Sequence, residues 1–497
     1  MPPLAVALAG GLCLGAAFDP VAVPYFAPLG VAALVFAVAR STYRQAALRG
    51  WVFGLAFFGP LLAWLGDAIG SEAWVLVTTV VSVWFAILGC ALVAVRRLPG
   101  WPVWAAVMWI AVEVVRSKWS LGGLPWGRLG DAAVGSPWSG LLALLGVTGT
   151  GFVVALVGSA VGALLAAGAA RRNWQVVSVL VLVATSWFIG WLAPAAVATG
   201  TARVAIVQGG VPGDGTELVR FHRQVTDRHA DLTGQLAIDR RAAGSPSVDF
   251  VLWPENATAV DPTSDEQAAK ALTDARSVSG VPIFLGAIAD APDPDEAFSQ
   301  GLVWDADGAQ AQRYTKQHLV PFGEYIPLRS LLAGFSPRLD AITREMQPGS
   351  SSEPLDIAGL RVGDALCFDV AYDDVLAPQV RAGAELLTIQ TSNAMFLGTN
   401  QLDQQFAISR ARAIETGRSV VVASVNGQSG AIAPDGSIIA RLPQRVSTAK
   451  VVTVPLATHQ TLAVRLGRGP SYACLMLAAL ALLAAAATKR RQDSSER

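Results

Sequence analysis

The sequence predicts a polytopic α-helical membrane bundle of about eight transmembrane helices carrying a layered α/β domain. Three observations predict it. The 497 residues are 53% hydrophobic and only 15% charged, too apolar for a water-soluble chain of this length. The apolarity is concentrated in the first 196 residues and in one run near the end. Between them, residues 197–464 are polar and mixed, and strand-like runs alternate there with helix-like ones.

Apolar runs fall at 3–18, 22–40, 51–68, 73–95, 101–115, 138–169 and 174–195. Each approaches the ~20 residues that a helix needs to cross a bilayer. The first run has no basic region ahead of it and leads directly into further spans, so it reads as a span rather than a signal peptide. "SYACLMLAALALLAAAAT" (471–488) supplies the eighth. The expected organisation is a bundle of about seven helices over 1–196, a water-exposed domain over 197–464, and a closing helix with a basic tail over 465–497.

Charge orients the array. With both termini in the cytoplasm, the breaks "RSTYRQAALRG" (40–50), "RRLPG" (96–100) and "RRN" (171–173) and the tail "KRRQDSSER" are internal. The positive-inside rule asks for this, and it places the 197–464 domain outside the cytoplasm. The external loop "RSKWSLGGLPWGRLGD" (116–131) runs against the rule with Arg116, Lys118 and Arg128. Interfacial anchoring by tryptophans and snorkelling cations accounts for them; a rim contacting a lipid head group is the alternative.

Several classes are disfavoured. Net charge is zero, with 37 basic and 37 acidic residues, and no basic tract precedes the tail, so nucleic acid is not an expected partner. Of the four cysteines, Cys13, Cys90 and Cys474 sit in lipid-like sequence, which argues against a disulfide framework. The histidines (His222, His229, His318, His459) are scattered, and neither CxxC nor HExxH occurs. No metal and no cofactor is expected.

Within the polar block, 202–211, 247–256, 281–289, 360–370 and 384–393 read as strands ending in turn residues or acids. Residues 221–243 and 264–279 have helical spacing. "GLVWDADGAQAQRYTKQ" has two strand-like arms about a DG turn, a hairpin. "VVVASVNGQSGAIAPDGSIIARL" repeats the pattern. Strand ends are where reactive groups collect in such domains, and three of them carry one. "LWPENA" presents Glu255, "YTKQHLVPFGEYIP" presents Lys316 and then Glu324, and "ALCFDVAY" presents Cys367.

A free thiol has a pKa of about 8.5 and is mostly unreactive near neutrality. A cation that stabilises the thiolate, or a base that takes the proton, activates it. Lys316 can supply the charge and Glu255 the base. The backbone N–H of Phe368 and the Lys316 ammonium together can hold an oxyanion. Each piece alone has an ordinary explanation: a lone buried cysteine packs as a small hydrophobe, Glu255 can start a turn, and Lys316 can be a solvated hairpin end. His318 suggests a Cys–His pair, but nothing in the spacing selects it.

"LWPENA", "YTKQHLVPFGEYIP", "LCFDVAY" and "TSNAMF", in this order, resemble the Glu-Lys-Cys pattern of the nitrilase superfamily. "KQHLVPFGEYIP", "LGGLPWGRLG" (121–130) and "QFAISRARAIETGRSVVVASVNG" (405–427), with about seven spans before the domain and one after, resemble the apolipoprotein N-acyltransferase family. The resemblance covers essentially the whole chain. It implies an αββα sandwich on the membrane bundle, with Cys367 as nucleophile, Glu255 as general base, Lys316 as stabiliser of thiolate and oxyanion, and Glu324 as a supporting acid. Asp369 stands where the family often has Glu, and "NAMF", which begins at Asn393, lacks that stretch's usual acidic and bulky aromatic residues.

What the resemblance further implies is an acyltransferase in a bacterial plasma membrane. A phospholipid would donate a fatty acyl chain, through a cysteine thioester, to the α-amino group of a diacylglyceryl-cysteine at a lipoprotein N-terminus. Two alternatives stand beside it: a membrane-tethered carbon–nitrogen hydrolase using the same trio with water, and an inactive scaffold that partners a polyprenol-phosphate mannosyltransferase.

Overall fold

The computed structural model describes residues 2–119, 122–167, 172–218, 220–327, 329 and 344–495. Leu121, which opens the "LGGLPWGRLG" motif, Arg171 of the "RRN" break and the last two residues of the tail lie outside them. The chain forms two compact units, Met1–Pro194 with Leu466–Arg497, and Ala195–Arg465.

The first unit is helical: α1 (Pro3–Gly15), α2 (Phe26–Val38), α3 (Tyr43–Leu61), α4 (Trp64–Ala68), α5 (Ser71–Val95), α6 (Trp101–Lys118), α7 (Leu141–Ala166), α8 (Arg172–Trp191) and a closing helix, Gly469–Ser495. Among the described residues, four segments are long and apolar enough to cross a membrane: Ser71–Val95, Leu141–Ala166, Trp174–Trp191 and Gly469–Thr488. The other expected spans differ in form. Helices α1 and α2 are apolar but only 13 residues each, or about 20 Å at 1.5 Å per residue.

Helix α3 begins eight residues before its apolar run. Thr42 and Gln45 close a reciprocal capping box there, so backbone satisfaction rather than hydropathy sets the start. Close packing of α3 on α5 depends on small residues. A Cβ on Gly50 would strike the Phe85 carbonyl, and one on Gly89 the Ala46 carbonyl.

The 122–134 segment is tied down from inside this unit. Arg116 Nη1 donates to the carbonyls of Leu124 at 2.6 Å and Trp126 at 2.8 Å, and its guanidinium lies 5.1 Å from the Phe58 ring centre. Arg128 Nη2 donates to the Thr148 hydroxyl at 2.8 Å, and its Nε lies 3.8 Å from Glu113. Glu113 Oε2 in turn accepts from the Leu129 N–H at 3.0 Å. Arg116 and Arg128 are buried and only Lys118 is exposed. The three cations considered as a head-group rim are therefore not together at a surface. Arg116 satisfies an irregular backbone that has left its helix, and Arg128 is held by the side chains of Thr148 and Glu113.

The second unit holds two mixed sheets. Its strands are β1 (Gly200–Gln208), β2 (Phe250–Leu252), β3 (Ile283–Asp290), β4 (Glu296–Asp305), β5 (Gly308–Thr315), β6 (Glu345–Met346), β7 (Leu355–Ile357), β8 (Leu360–Leu366), β9 (Leu386–Thr391), β10 (Val420–Ser424), β11 (Gly430–Ile432), β12 (Ile438–Arg441) and β13 (Thr448–Leu456). One sheet runs β13-β1-β2-β3-β4-β5, with β6 on β4; the other runs β12-β11-β10-β9-β8-β7. In each, the central strands are parallel (β1-β2-β3 and β8-β9-β10) and the outer pairs along the path antiparallel, while β6 lies parallel to β4.

Helix α9 (His222–Ala242) and helix α10 (Glu266–Ser279) cover the first sheet, with Leu236, Leu272 and Ala275 packed against Val251, Ile283 and Leu302. Helix α11 (Leu376–Arg381) and helix α12 (Gln401–Thr416) belong to the second sheet. Gln390 of β9 donates across to the Trp253 carbonyl at 2.7 Å, so the two sheets meet face to face. The parallel strands β2 and β8 end at the same place, and there the chemistry-bearing residues collect.

Candidate active site

Glu255 follows β2 after Trp253 and Pro254. Its backbone packs so closely on Gly286 of β3 that a Cβ on that glycine would strike the Glu255 Cα. Lys316 immediately follows β5 and is buried. Its Nζ donates to Glu255 Oε1 at 3.0 Å and to Glu324 Oε1 at 2.6 Å. The remaining carboxylate oxygens are also occupied: Glu255 Oε2 accepts from the Ser392 N–H at 3.0 Å, and Glu324 Oε2 from the Val320 N–H at 2.8 Å. One ammonium thus lies between two carboxylates, each fixed by a main-chain donor.

Burial alone would lower the Lys316 pKa, but Glu255 and Glu324 beside it hold it well above its usual value. The lysine is a permanent cation. Burial raises the Glu324 pKa, with Glu255 adding to the effect and Lys316 opposing it.

Cys367 is the first residue after β8 and starts a short 3-10 helix, Cys367–Ala371. It has φ +49°, in the left-handed region, which costs a non-glycine residue about 1–3 kcal/mol. The turn ends the strand at Leu366. Gln405 of α12 holds Cys367 there, with Nε2 donating to the Cys367 carbonyl at 3.0 Å and lying 3.8 Å from Sγ. Burial, with Glu255 adding to it and Lys316 and a hydrogen bond with Thr391 opposing, pushes the thiol pKa up to about 12. The free cysteine is therefore a neutral thiol, and a base must take its proton as it reacts.

Asp369, two residues on, is fully buried. It accepts from the Tyr314 hydroxyl at 2.6 Å and from the Gln317 and His318 N–H groups at 3.2 and 2.7 Å. It thereby fastens the loop bearing Lys316 to the helix bearing Cys367. Burial raises its pKa, opposed by Lys316 and Tyr314. His318 is turned to other work: Nε2 meets Asp374 at 2.9 Å, and its ring stacks on Tyr372 at 3.7 Å. Among the described residues, no group of three or more His, Cys, Asp or Glu is placed to hold a metal ion.

The arrangement supplies a thiol, a carboxylate base and a fixed cation around one strand end. Residues 203–463 match the carbon-nitrogen hydrolase family, and residues 10–160 match the apolipoprotein N-acyltransferase N-terminal domain. A protein of Mycolicibacterium smegmatis named apolipoprotein N-acyltransferase is 32% identical over 466 residues, covering 88% of this chain and 77% of its own. The chain belongs to the apolipoprotein N-acyltransferase family. It is an acyltransferase with a nitrilase-like domain. A second apolipoprotein N-acyltransferase, of Photobacterium profundum, is 26% identical over 94% of this chain and 92% of its own. A solved amidase of the nitrilase superfamily from Nesterenkonia AN1 aligns at 17% identity over 56% of this chain and 98% of its own, with a TM-score of 0.39.

Against this apolipoprotein N-acyltransferase framework, the structure gathers Glu255, Lys316, Cys367, Glu324 and Asp369 at one site. Asn393 sits beside it, with φ +54° and Oδ1 accepting from the Thr391 hydroxyl at 2.8 Å. Phe368 packs edge-on to Tyr372, with ring centres 5.3 Å apart. Sequence reasoning missed Tyr314, Gln405 and Ser392. Tyr314 and Gln405 are ordinary strand and helix residues in pattern, and Ser392 contributes only its backbone.

Proposed function

We propose that the enzyme moves a fatty acyl chain from a phospholipid to the α-amino group of the diacylglyceryl-cysteine at a lipoprotein N-terminus, through a thioester on Cys367. The observation that carries this reading is Lys316 fixed between Glu255 and Glu324 beside a cysteine in a strained turn.

In the first half-reaction, Cys367 Sγ attacks the ester carbonyl while Glu255 accepts the thiol proton. The Lys316 ammonium and the Phe368 N–H stabilise the oxyanion of the tetrahedral intermediate. Its collapse breaks the ester C–O bond, and Glu255 returns the proton to the departing lysophospholipid oxygen. In the second half-reaction, the lipoprotein amine attacks the thioester, Glu255 takes a proton from nitrogen, and the C–S bond breaks to leave an amide. The sulfur recovers its proton from Glu255.

Both substrates are lipids, and drawing an acyl chain into water costs about 0.8 kcal/mol per CH₂. A site served from the bilayer avoids that cost, which is the physical reason for joining this domain to about eight spans. The positive-inside pattern puts both termini in the cytoplasm and the catalytic domain outside a bacterial plasma membrane.

Intact-mass analysis of the full-length protein after incubation with phospholipid tests the proposal. The expected result is an acyl adduct on Cys367 that a diacylated lipopeptide amine discharges as amide. Discharge to water alone would make the enzyme a hydrolase, and absence of an adduct would refute the thioester route.

A further inference from the structure

Beneath the site, the two sheets share a buried polar contact that the reaction does not use. Asp364 lies on β8, three residues before Cys367, and Gln390 lies on β9; both are fully buried. Asp364 Oδ1 accepts from the Thr388 hydroxyl at 2.7 Å. Gln390 Nε2 reaches the first sheet, 2.7 Å from the Trp253 carbonyl and 3.5 Å from that of Phe284. Trp253 is two residues before Glu255.

Asp364 Oδ2 and Gln390 Oε1 are left over, and neither has a hydrogen-bond donor among the described residues. Both crowd the space that Gly301 of β4 leaves by having no side chain. A Cβ there would stand 2.6 Å from Oδ2 and 2.9 Å from Oε1. Two buried acceptors sharing one space with no donor is a costly arrangement. One proton on Asp364 resolves both. We propose that Asp364 is a neutral carboxylic acid that donates through Oδ2 to Gln390 Oε1, a positioning residue linking the strand that ends at Cys367 to the segment that carries Glu255.

The surroundings favour the protonated form. Burial is the main cause that pushes the Asp364 pKa up to about 8, and the charges acting on it from neighbouring elements include those of Asp369 and Glu255, both acids. The Tyr314 phenol on β5 is also within electrostatic reach. The positioning role rests on the catalytic roles assigned above; the protonation does not.

Asp364→Asn separates the two charge states, because an amide can donate to Gln390 and accept from Thr388 as the protonated acid does, whereas a carboxylate cannot donate. The folded-state pKa lies above the unfolded value of about 3.9. The folded wild type therefore holds a proton that the unfolded chain has lost. Its stability relative to D364N falls as pH rises from about 5 to about 8, then levels off. Thermal unfolding of the two full-length proteins in lipid nanodiscs measures this. A gap that does not change with pH, or that moves in favour of the wild type as pH rises, overturns the protonation.

Infrared difference spectra near neutrality give a second readout: the wild type should show the carbonyl stretch of a protonated carboxyl that D364N lacks, and its absence also overturns the protonation. For positioning, Asp364→Leu removes the donor. It should form the Cys367 thioester roughly tenfold more slowly than D364N with unchanged phospholipid KM; equal rates refute that part. If wild-type enzyme forms no thioester at all, the acyl-transfer reading fails while the stability and infrared outcomes still decide the charge of Asp364.

Discussion

The Tyr314 hydroxyl donates to Asp369 at 2.6 Å, joining the strand that delivers Lys316 to the turn that delivers Cys367. Tyr314→Phe removes one of the donors to a buried carboxylate and should cost about 1–3 kcal/mol of stability. Asp369→Ala goes further, leaving the Gln317 and His318 N–H groups without their acceptor. Its expected signature is slower thioester formation from a displaced Lys316, in addition to a lower thermal midpoint. Acylation kinetics and thermal unfolding on both variants check this; thioester formation at the wild-type rate in Asp369→Ala would contradict it.

Glu255 and Lys316 act on the thiol in opposite directions, Glu255 raising its pKa and Lys316 lowering it. Glu255→Gln should therefore shift the pH dependence of Cys367 alkylation to lower pH, while acyl transfer from phospholipid is lost with the base. Lys316→Ala should shift alkylation to higher pH and slow thioester formation. Removing the cation also leaves two neighbouring carboxylates without it, which costs about 3–5 kcal/mol unless one takes up a proton. Alkylation rates followed against pH, with phospholipid acylation alongside, separate these effects. Parallel shifts in both variants would rule out the opposed roles.

Legibility in the sequence followed the physics of each feature. The strands ending at Glu255 and Cys367 were readable because buried parallel strands are continuous apolar runs and their ends carry turn residues or acids. Lys316 and Glu324 had an ordinary reading as charges after a hairpin, and only the resemblance of "YTKQHLVPFGEYIP" to the Glu-Lys-Cys pattern set them apart. Gln405 and Tyr314 gave no such signal, since their roles come from contacts between distant segments. The bundle was readable as apolar runs, but its helix ends were not. Capping by Thr42 and Gln45 carries α3 back through Arg44 and Arg49, which hydropathy counts as loop. The positive charges at 116 and 128 looked like surface features because sequence alone does not show that the 122–134 segment folds back and buries both.

That burial makes a prediction opposite to the one a head-group rim would make. Arg116→Ala frees the Leu124 and Trp126 carbonyls from their donor, at about 1–3 kcal/mol for each buried group left unsatisfied. It should lower the thermal midpoint, and it should do so with any phospholipid present. Lys118→Ala, at an exposed position, should leave stability within about 0.5 kcal/mol of wild type. Unfolding of both variants in nanodiscs is the check, and a stable Arg116→Ala protein with a raised phospholipid KM would restore the rim.

Gln405 bears on the nucleophile's conformation rather than its charge. Its amide hydrogen bond to the Cys367 carbonyl holds a residue at φ +49° that would otherwise relax toward the strand. Gln405→Leu keeps the bulk in α12 and removes the donor. Relaxation of the turn withdraws Sγ from Glu255 and Lys316, so thioester formation should fall roughly tenfold for the loss of one such bond. Binding of the phospholipid does not involve the turn, so KM should hold while the acylation rate falls. Gln405→Asn, too short to reach, should behave like the leucine variant. A change in KM without a change in acylation rate would place Gln405 in the substrate pocket instead.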